Sequence, residues 1–562
     1  MAVKDIYSEK PWLKFYPDGV PANIKYEEIC LHDVLERTVS RYGDQDALIF
    51  QGFRMNYNDL NDVVNRLAFF LVSKGVKKGD VVAILLPNMI QTVAAYYAVL
   101  KIGGIVQMNN PLYTDRELSY QFNDSGAKVL IALDLLANRM IALRKDTKIK
   151  NIIYTSIGDY LPPVKKVLFK VVGKKKGMAA EVPAAENVYS WTEAVKEKGA
   201  VPKVNVSFDD TAVYQYTGGT TGASKGAILT HRNLCSMVQM YRAWFPTLTL
   251  GKEVLISAAP IFHVLGMSAA MNLPVLMGWT AVMIPKPQAP DLLAATRKYR
   301  PTVCSMVPTM YVGMLQHPDL KKTDMSCYKV LSSGGSSLPV EVLKKFKELT
   351  GADINEGFGM TETSPQTHLN PFNGLHKAGS IGLPYPDTEV MIVDLATGEE
   401  PMPAGKEGEM IFKGPQVTKG YLNKPEETAK AIRKGWLYSG DIAYMDEDGY
   451  FFIVDRMKDL IISSGYNVYP REIEEVLYEH PGIQKAAAIG LPDEKRGEKI
   501  KVFVVPNEGA TLDTEEVMKY CQEKLAKYKW PSLIEIRSSL PESTVGKILK
   551  KDLKKEEEEK RK

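Results

Sequence analysis

Between Tyr214 and Asn233 the chain reads YQYTGGTTGASKGAILTHRN, a run of glycines and threonines with one serine and one lysine between two stretches of strand character. Backbone N–H groups, the hydroxyls of Thr217, Thr220, Thr221 and Ser224, and the Lys225 ammonium are the groups that would embrace a polyphosphate. The run is not a Walker loop, because Gly222 is followed by Ala-Ser-Lys-Gly and AILTH continues as a strand rather than opening a helix. Taken alone, it could equally be an ordinary glycine-rich hairpin. Glu362 follows Gly359 and Thr361 in NEGFGMTET, as a hard oxygen ligand for Mg2+ would; a helix N-terminal acid is the competing local reading. Asp441 in YSGD is an acceptor-only group suited to a vicinal diol, with an Asx turn as its alternative. Lys547 in STVGKI reads by itself as a solvated surface lysine.

These residues need a scaffold, and the text around them predicts parallel sheets covered by helices. GDVVAILLPN is a short β-branched run closed by Pro-Asn, and MIQTVAAYYAVLKIGG is a helix closed by glycine; GWTAVMIPKP and YKVLSSGG are further buried strands. Strand–helix alternation of this kind gives an α/β fold. From about residue 385 to 455 the chain turns into strand and turn, a β-rich subdomain. Beyond DRMKDLIISSG it becomes a compact α/β unit with a helix in PREIEEVLYEHPGI, strands in KAAAIGLPD and EKIKVFVVPN, and an Asp-capped amphipathic helix in DTEEVMKYCQEKLAKYK. The expected organisation is a large N-terminal domain, 1–456, and a small C-terminal domain, 457–562. The tail KKDLKKEEEEKRK is expected to be a solvated, frayed end.

Bulk composition narrows the function classes. With 562 residues, 45% hydrophobic and 25% charged, the chain can build several cores and is neither fibrous nor disordered. Its net charge of +4 arises from 71 basic against 67 acidic residues, which gives no support to a nucleic-acid binder. Five cysteines without CxxC spacing argue against a disulfide framework and a zinc site, and fit a reducing compartment. The charged N-terminal stretch is not expected to be a signal peptide, and no run of 18 apolar residues follows.

The glycine–threonine loop resembles the phosphate loop of the adenylate-forming superfamily, which comprises the acyl- and aryl-CoA synthetases, firefly luciferase and peptide-synthetase adenylation domains. The family's usual form is Tyr-Thr-Ser-Gly-Thr-Thr-Gly-x-Pro-Lys-Gly; here a glycine stands at the serine-type position and Ser224 replaces the proline. Five further blocks match in the same order: PIFHVLG at 260–266, NEGFGMTET at 355–363, GWLYSGD at 435–441, DRMKDLIISSGYNVYPREIE at 455–474 and PESTVGKILK at 541–550. Phe358 stands where tyrosine is customary, and Lys550 where arginine is commoner.

The resemblance implies a two-step reaction, in which a carboxylate attacks the α-phosphorus of ATP and coenzyme A then displaces AMP from the acyl-adenylate. Two anions must meet in the first step, so cations are required at the phosphates. On the family pattern, Thr217, Gly218, Gly219, Thr220, Thr221 and Gly222 cradle ATP, Lys225 neutralises the pyrophosphate side, and Glu362 with Thr221 holds Mg2+. Gly335, Glu356, Gly357, Phe358, Gly359 and Thr361 line the nucleotide, the Phe358 ring stacking on adenine. Asp441 and Arg456 grip ribose, His263 borders the acyl pocket, and Lys547 is carried to the α-phosphate by a mobile C-terminal domain. That domain then turns about Lys458, and the Gly465 loop replaces the lysine as the thiol enters.

The free-standing architecture and the SSGYN loop resemble CoA ligases, and the text most resembles long-chain fatty acid–CoA ligases. The pocket segment IFHVLGMSAAMNLPVLM suits an aliphatic chain. Medium-chain, alicyclic or aryl acids, a carrier-protein acceptor, and a non-catalytic nucleotide or fatty-acid sensor are the alternatives. ATP, Mg2+ and coenzyme A are the expected cofactors; a homodimer and a cytoplasmic location are also expected. In YLPPVKKVLFKVVGKKKG, apolar residues at 164, 167, 168, 171 and 172 share one helical face opposite the lysines. That face either packs onto the protein or makes weak, reversible contact with an anionic membrane.

Overall fold

The structure is a computed structural model that describes residues 3–217, 224–463, 466–493, 496–543 and 546–560. Two large sheets dominate the chain up to residue 384. The first runs in the order Val188–Ser190, Asn151–Thr155, Val129–Leu133, Val81–Leu85, Ile105–Met108, Thr211–Thr217 and Lys225–Thr230. It is parallel except for the final hairpin, in which Thr217 lies opposite Lys225. The second is parallel from Asn355–Gly359 through Val330–Ser333, Val303–Met306, Val254–Ser257 and Thr280–Met283 to Asp46–Phe50. Antiparallel strands finish it at both edges.

The helix Ile90–Lys101 is buried from Ile90 to Leu100 and touches strands of both sheets. A helix that is apolar all round can be stable only where every face is covered, which explains why IQTVAAYYAVLK carries a single charge, at its C-terminal end. The expected parallel α/β architecture is therefore observed.

From Glu389 to Arg456 the chain forms a separate antiparallel sheet, whose strands Trp436–Met445 and Phe451–Arg456 set Asp441 opposite Arg456. The turn 457–460 leads into the last sheet, built of Ile461–Ser463, Tyr466–Val468, Ile483–Asp493, Gly497–Pro506 and Leu533–Ile536, with helices Pro470–Tyr478 and Thr514–Lys524. Asp513 caps the second of these helices, as expected, by accepting from Glu515 N at 3.3 Å. Among the described residues, every buried apolar cluster lies wholly before residue 456 or wholly after it.

The charged tail departs from expectation. It is not frayed: Lys550–Lys560 is a helix, and Leu553 is fully buried with Ala487, Ile489, Phe503 and Leu540. Lys501 bridges Glu557 at 2.7 Å and Glu535 at 2.6 Å, and Arg537 meets Glu556 at 2.7 Å. One anchored leucine and ion pairs largely shielded from solvent hold a segment whose composition suggested only solvation.

Candidate active site

The antiparallel hairpin delivers Lys225 at the first position of its return strand; Gly218, Gly219, Thr220, Thr221 and Gly222 lie outside the described residues, as does Gly465. The Lys225 ammonium pairs with Glu427 and lies 5.1 Å from the centroid of the Tyr421 ring. Tyr421 in turn donates its hydroxyl to Glu362 Oε1 at 2.7 Å. Burial, reinforced by the Glu362 charge, pushes the Tyr421 phenol well above its ordinary range, so it remains a donor at any physiological pH. The segment carrying Tyr421 and Glu427 is fastened to the Lys225 strand through Ile228 N to Gly420 O at 2.9 Å and Leu422 N to Gly226 O at 2.8 Å. Sequence reading singles out Lys225 and Glu362 but neither Tyr421 nor Glu427, which lie together in the run KGYLNKPEET, 419–428.

Glu362 sits in the short turn Thr361–Thr363 and is buried, as is Thr361. The turn is held by Thr418 N donating to Glu362 O at 2.8 Å. Upstream, Gly357, Phe358 and Gly359 belong to the strand Asn355–Gly359. A Cβ at Gly359 would fall 1.9 Å from Pro365 O, so only glycine fits. The Phe358 ring leans on Phe412 at 6.0 Å and on His368 at 6.4 Å. Gly335 follows the neighbouring strand Val330–Ser333. Glu356 accepts from Leu338 N at 3.1 Å, and its other oxygen is buried without a hydrogen-bond partner. Burial pushes this carboxyl up to about 7, against the opposing pull of the Arg471 charge in the C-terminal unit.

Asp441 and Arg456 form an ion pair at 3.0 Å. The second Asp441 oxygen is buried and has no hydrogen-bond partner. An acceptor left in that state costs about 1–3 kcal/mol, a burden readily relieved by a ligand hydroxyl. The Asp441 charge is the chief cause that holds the Arg456 guanidinium above its usual range, with Asp459 and Glu362 adding to it.

Lys547 reaches this cluster from the far end of the chain. Its ammonium is pushed down to about 8, first by burial and next by the Arg456 charge, while Asp441 opposes the shift. Lys458, in the turn between the two units, is pushed down to about 8 for the same leading reasons. The Lys547 charge is also felt by His263, whose imidazole burial drives down to about 4, so it is neutral at physiological pH. His263 caps the helix Val264–Met267, accepting from Leu265 N at 3.3 Å. The Lys547 turn closes through Ser543 N to Lys547 O at 2.8 Å and nests against the N-terminal unit. A Cβ on Gly546, whose φ is +71°, would lie 2.2 Å from Thr309 Oγ1. The solvated-lysine reading of Lys547 is thus overturned by its surroundings.

The arrangement brings Lys225 and Glu362 together through Tyr421, and Asp441, Arg456, Lys458, Lys547 and His263 into one electrostatic field. No group of three or more His, Cys, Asp or Glu side chains able to cage a metal occurs among the described residues. Glu362 is a single buried carboxylate with one oxygen engaged by Tyr421. That donor set fits Mg2+ held jointly with substrate phosphates, the usual habit of this ion.

The profile of the AMP-binding enzyme family matches residues 35–422, and that of the AMP-binding enzyme C-terminal domain matches 472–547. The chain belongs to the AMP-binding enzyme family. It is 43% identical to a long-chain-fatty-acid–CoA ligase of Bacillus subtilis, over 98% of this chain and 99% of that protein. A ligase of the same description from Escherichia coli is 37% identical over 98% of each chain. Among solved structures, ATP-bound MatB of Rhodopseudomonas palustris superposes with a TM-score of 0.80 at 29% identity, covering 95% of this chain and 100% of that one. As a member of this family, the chain is an ATP-dependent, adenylate-forming ligase.

Proposed function

We propose that this enzyme converts a long-chain fatty acid to its CoA thioester through an acyl-adenylate. The observation that carries the proposal is the seating of the Lys547 turn, from the C-terminal unit, against Thr309 of the N-terminal one, which sets the Lys547 ammonium in the field of Arg456 and Asp441. The near-full-length likeness to fatty-acid ligases supports the substrate class.

In the first step a fatty carboxylate oxygen bonds to the α-phosphorus of ATP as the bond from that phosphorus to the bridging oxygen breaks, and pyrophosphate leaves. Lys225 neutralises the leaving group, and Lys547 lies on the α-phosphate, where it stabilises the charge of the transition state. At neutral pH a lysine held near 8 is still mostly ammonium. Asp441 accepts from the ribose hydroxyls with the oxygen that now lacks a partner, Arg456 keeps that carboxylate oriented, and Phe358 offers its ring to adenine. The glycine–threonine loop, including Thr217, wraps the phosphates. Glu362, oriented by Tyr421, and Thr221 would hold Mg2+, which supplies Lewis-acid stabilisation of the phosphate charge.

Lys547 must then withdraw so that a thiol can enter. We place the boundary at 456/457 and the pivot at Lys458, supported by the separate apolar cores on either side and by the single turn that joins them. Hydrogen bonds cross the boundary, such as Tyr469 to Glu407 at 2.6 Å, and can be exchanged on rotation. The CoA sulfur then attacks the acyl carbonyl, the thiol proton is lost, and AMP departs with the oxygen that joined it to the acyl group. A cytoplasmic location with weak contact to an anionic membrane completes the proposal. Among the described residues no helix is long and apolar enough to cross a membrane.

Incubation with ATP, Mg2+, CoA and a panel of acids tests this reading. Equal yields of AMP, pyrophosphate and thioester, greatest for long aliphatic acids, are expected. Acyl-adenylate without thioester would point to a carrier-protein acceptor, and inertness across the panel to a non-catalytic binder.

A further inference from the structure

The helix Pro163–Val172 carries its apolar stripe on the outside. Val164 is 83% exposed, Val167 66%, Leu168 61% and Val171 67%. These four residues share one face at about 100° per residue. The other side of the helix is fixed to the protein. Phe169 packs against the main core, and a Cβ at Gly158 would lie 2.6 Å from its ring. Lys166 Nζ donates to Asp159 O at 3.0 Å, and Lys165 Nζ to Gln51 O at 2.8 Å. The stripe therefore does not pack onto the protein; the helix is anchored by Phe169 and presents its valines and leucine outward.

Along the chain segment that carries that ridge, from Leu161 to Ala180, the charged side chains are all lysines. Lys165 and Lys170 stand at its two borders, and Lys174, Lys175 and Lys176 continue beyond the C-terminal end, all exposed. Lys174 has an acidic partner, Glu181, at 2.9 Å. No acidic residue occurs from Leu161 to Ala180.

We infer that this helix is a docking surface for an anionic lipid bilayer. An exposed ridge of branched aliphatic side chains flanked by lysines matches a membrane interface, where the apolar groups sink to the acyl boundary and the ammonium groups meet phosphate headgroups. An acidic protein partner would match the charge but would not supply acyl chains for four adjacent aliphatic residues. The inference rests on the proposed function only for its use, which is to collect an acid that partitions into membranes. The docking itself follows from the helix. A single short ridge gives reversible attachment rather than permanent anchoring.

Flotation of the full-length protein with vesicles of phosphatidylglycerol and phosphatidylcholine, against vesicles of phosphatidylcholine alone, tests it. Binding is expected only with the anionic lipid and should weaken as salt is added. Changing Lys170, Lys174, Lys175 and Lys176 to Gln should lower the partition coefficient about 100-fold or more, and Val167→Ser with Leu168→Ser should lower it about 10-fold or more. Thioester formation from a water-soluble shorter acid, measured in detergent-free solution without vesicles, should be unchanged in both variants. Loss of that activity in the wild type would count against the proposed function alone. Binding that ignores lipid charge or survives both sets of substitutions would overturn the docking surface.

Discussion

Tyr421→Phe isolates one hydroxyl. The substitution keeps the ring beside the Lys225 ammonium at 5.1 Å but deletes the donor that holds Glu362 Oε1 at 2.7 Å. A hydrogen bond to a charged carboxylate contributes about 1.5–3 kcal/mol, which corresponds to about 10- to 100-fold in equilibrium terms, the range seen when the residue orienting a metal ligand is removed. Glu362 is buried, so water cannot easily replace the hydroxyl. The assay is acid-dependent exchange of labelled pyrophosphate into ATP, titrated with Mg2+. The Mg2+ concentration for half-maximal exchange should rise by about 10- to 100-fold, and the rate at saturating Mg2+ should fall much less. An unchanged Mg2+ requirement with a folded protein would refute the positioning role of Tyr421, and with it the assignment of Glu362 as the metal ligand.

Lys547→Ala should abolish adenylation yet spare thioester formation from a supplied acyl-adenylate; equal loss in both half-reactions would remove the case for a lysine that works in one step only. Because the wild-type ammonium is held near 8 and must be charged, kcat/KM for ATP in the adenylation half-reaction should fall as pH rises through about 8, and Lys547→Arg should move that limb upward. Asp441→Asn should weaken AMP binding about 10- to 100-fold, measured by calorimetry, because the oxygen now lacking a partner loses its charge; wild-type affinity would show that ribose is held elsewhere. Leu553→Ala should destabilise the C-terminal unit by about 2–5 kcal/mol in denaturant unfolding, whereas a negligible change would restore the frayed-tail view.

The scaffold was largely legible, because β-branched runs such as VVAIL and glycine-closed helices such as Ile90–Lys101 carry their own periodicity and stops. Candidate site residues were legible where chemistry is concentrated in short blocks: from five separate blocks of sequence, the fold links Lys225 to Glu362 through Tyr421, pairs Asp441 with Arg456, and sets Lys547 in the field of that pair. Tyr421 and Glu427 were not legible as partners, since nothing local says that a Gly-Tyr turn will cross the phosphate-loop strand. The tail misled because its one buried apolar residue, Leu553, is surrounded in sequence by charges whose partners are Lys501, Glu535 and Arg537. In the helix Pro163–Val172 the periodicity revealed an apolar face but not which side of the helix the protein would claim. The ring of Phe169, off the stripe, made that choice.

The central claim is that the fatty acid is activated as an adenylate before the thioester forms. A fatty acid labelled with heavy oxygen in both carboxylate positions, incubated with ATP, Mg2+, CoA and the enzyme, tests it directly by mass spectrometry of the products. The account predicts one labelled oxygen in each AMP, the other in the thioester carbonyl, and none in pyrophosphate. Label in a phosphate other than AMP, or ADP in place of AMP, would contradict it.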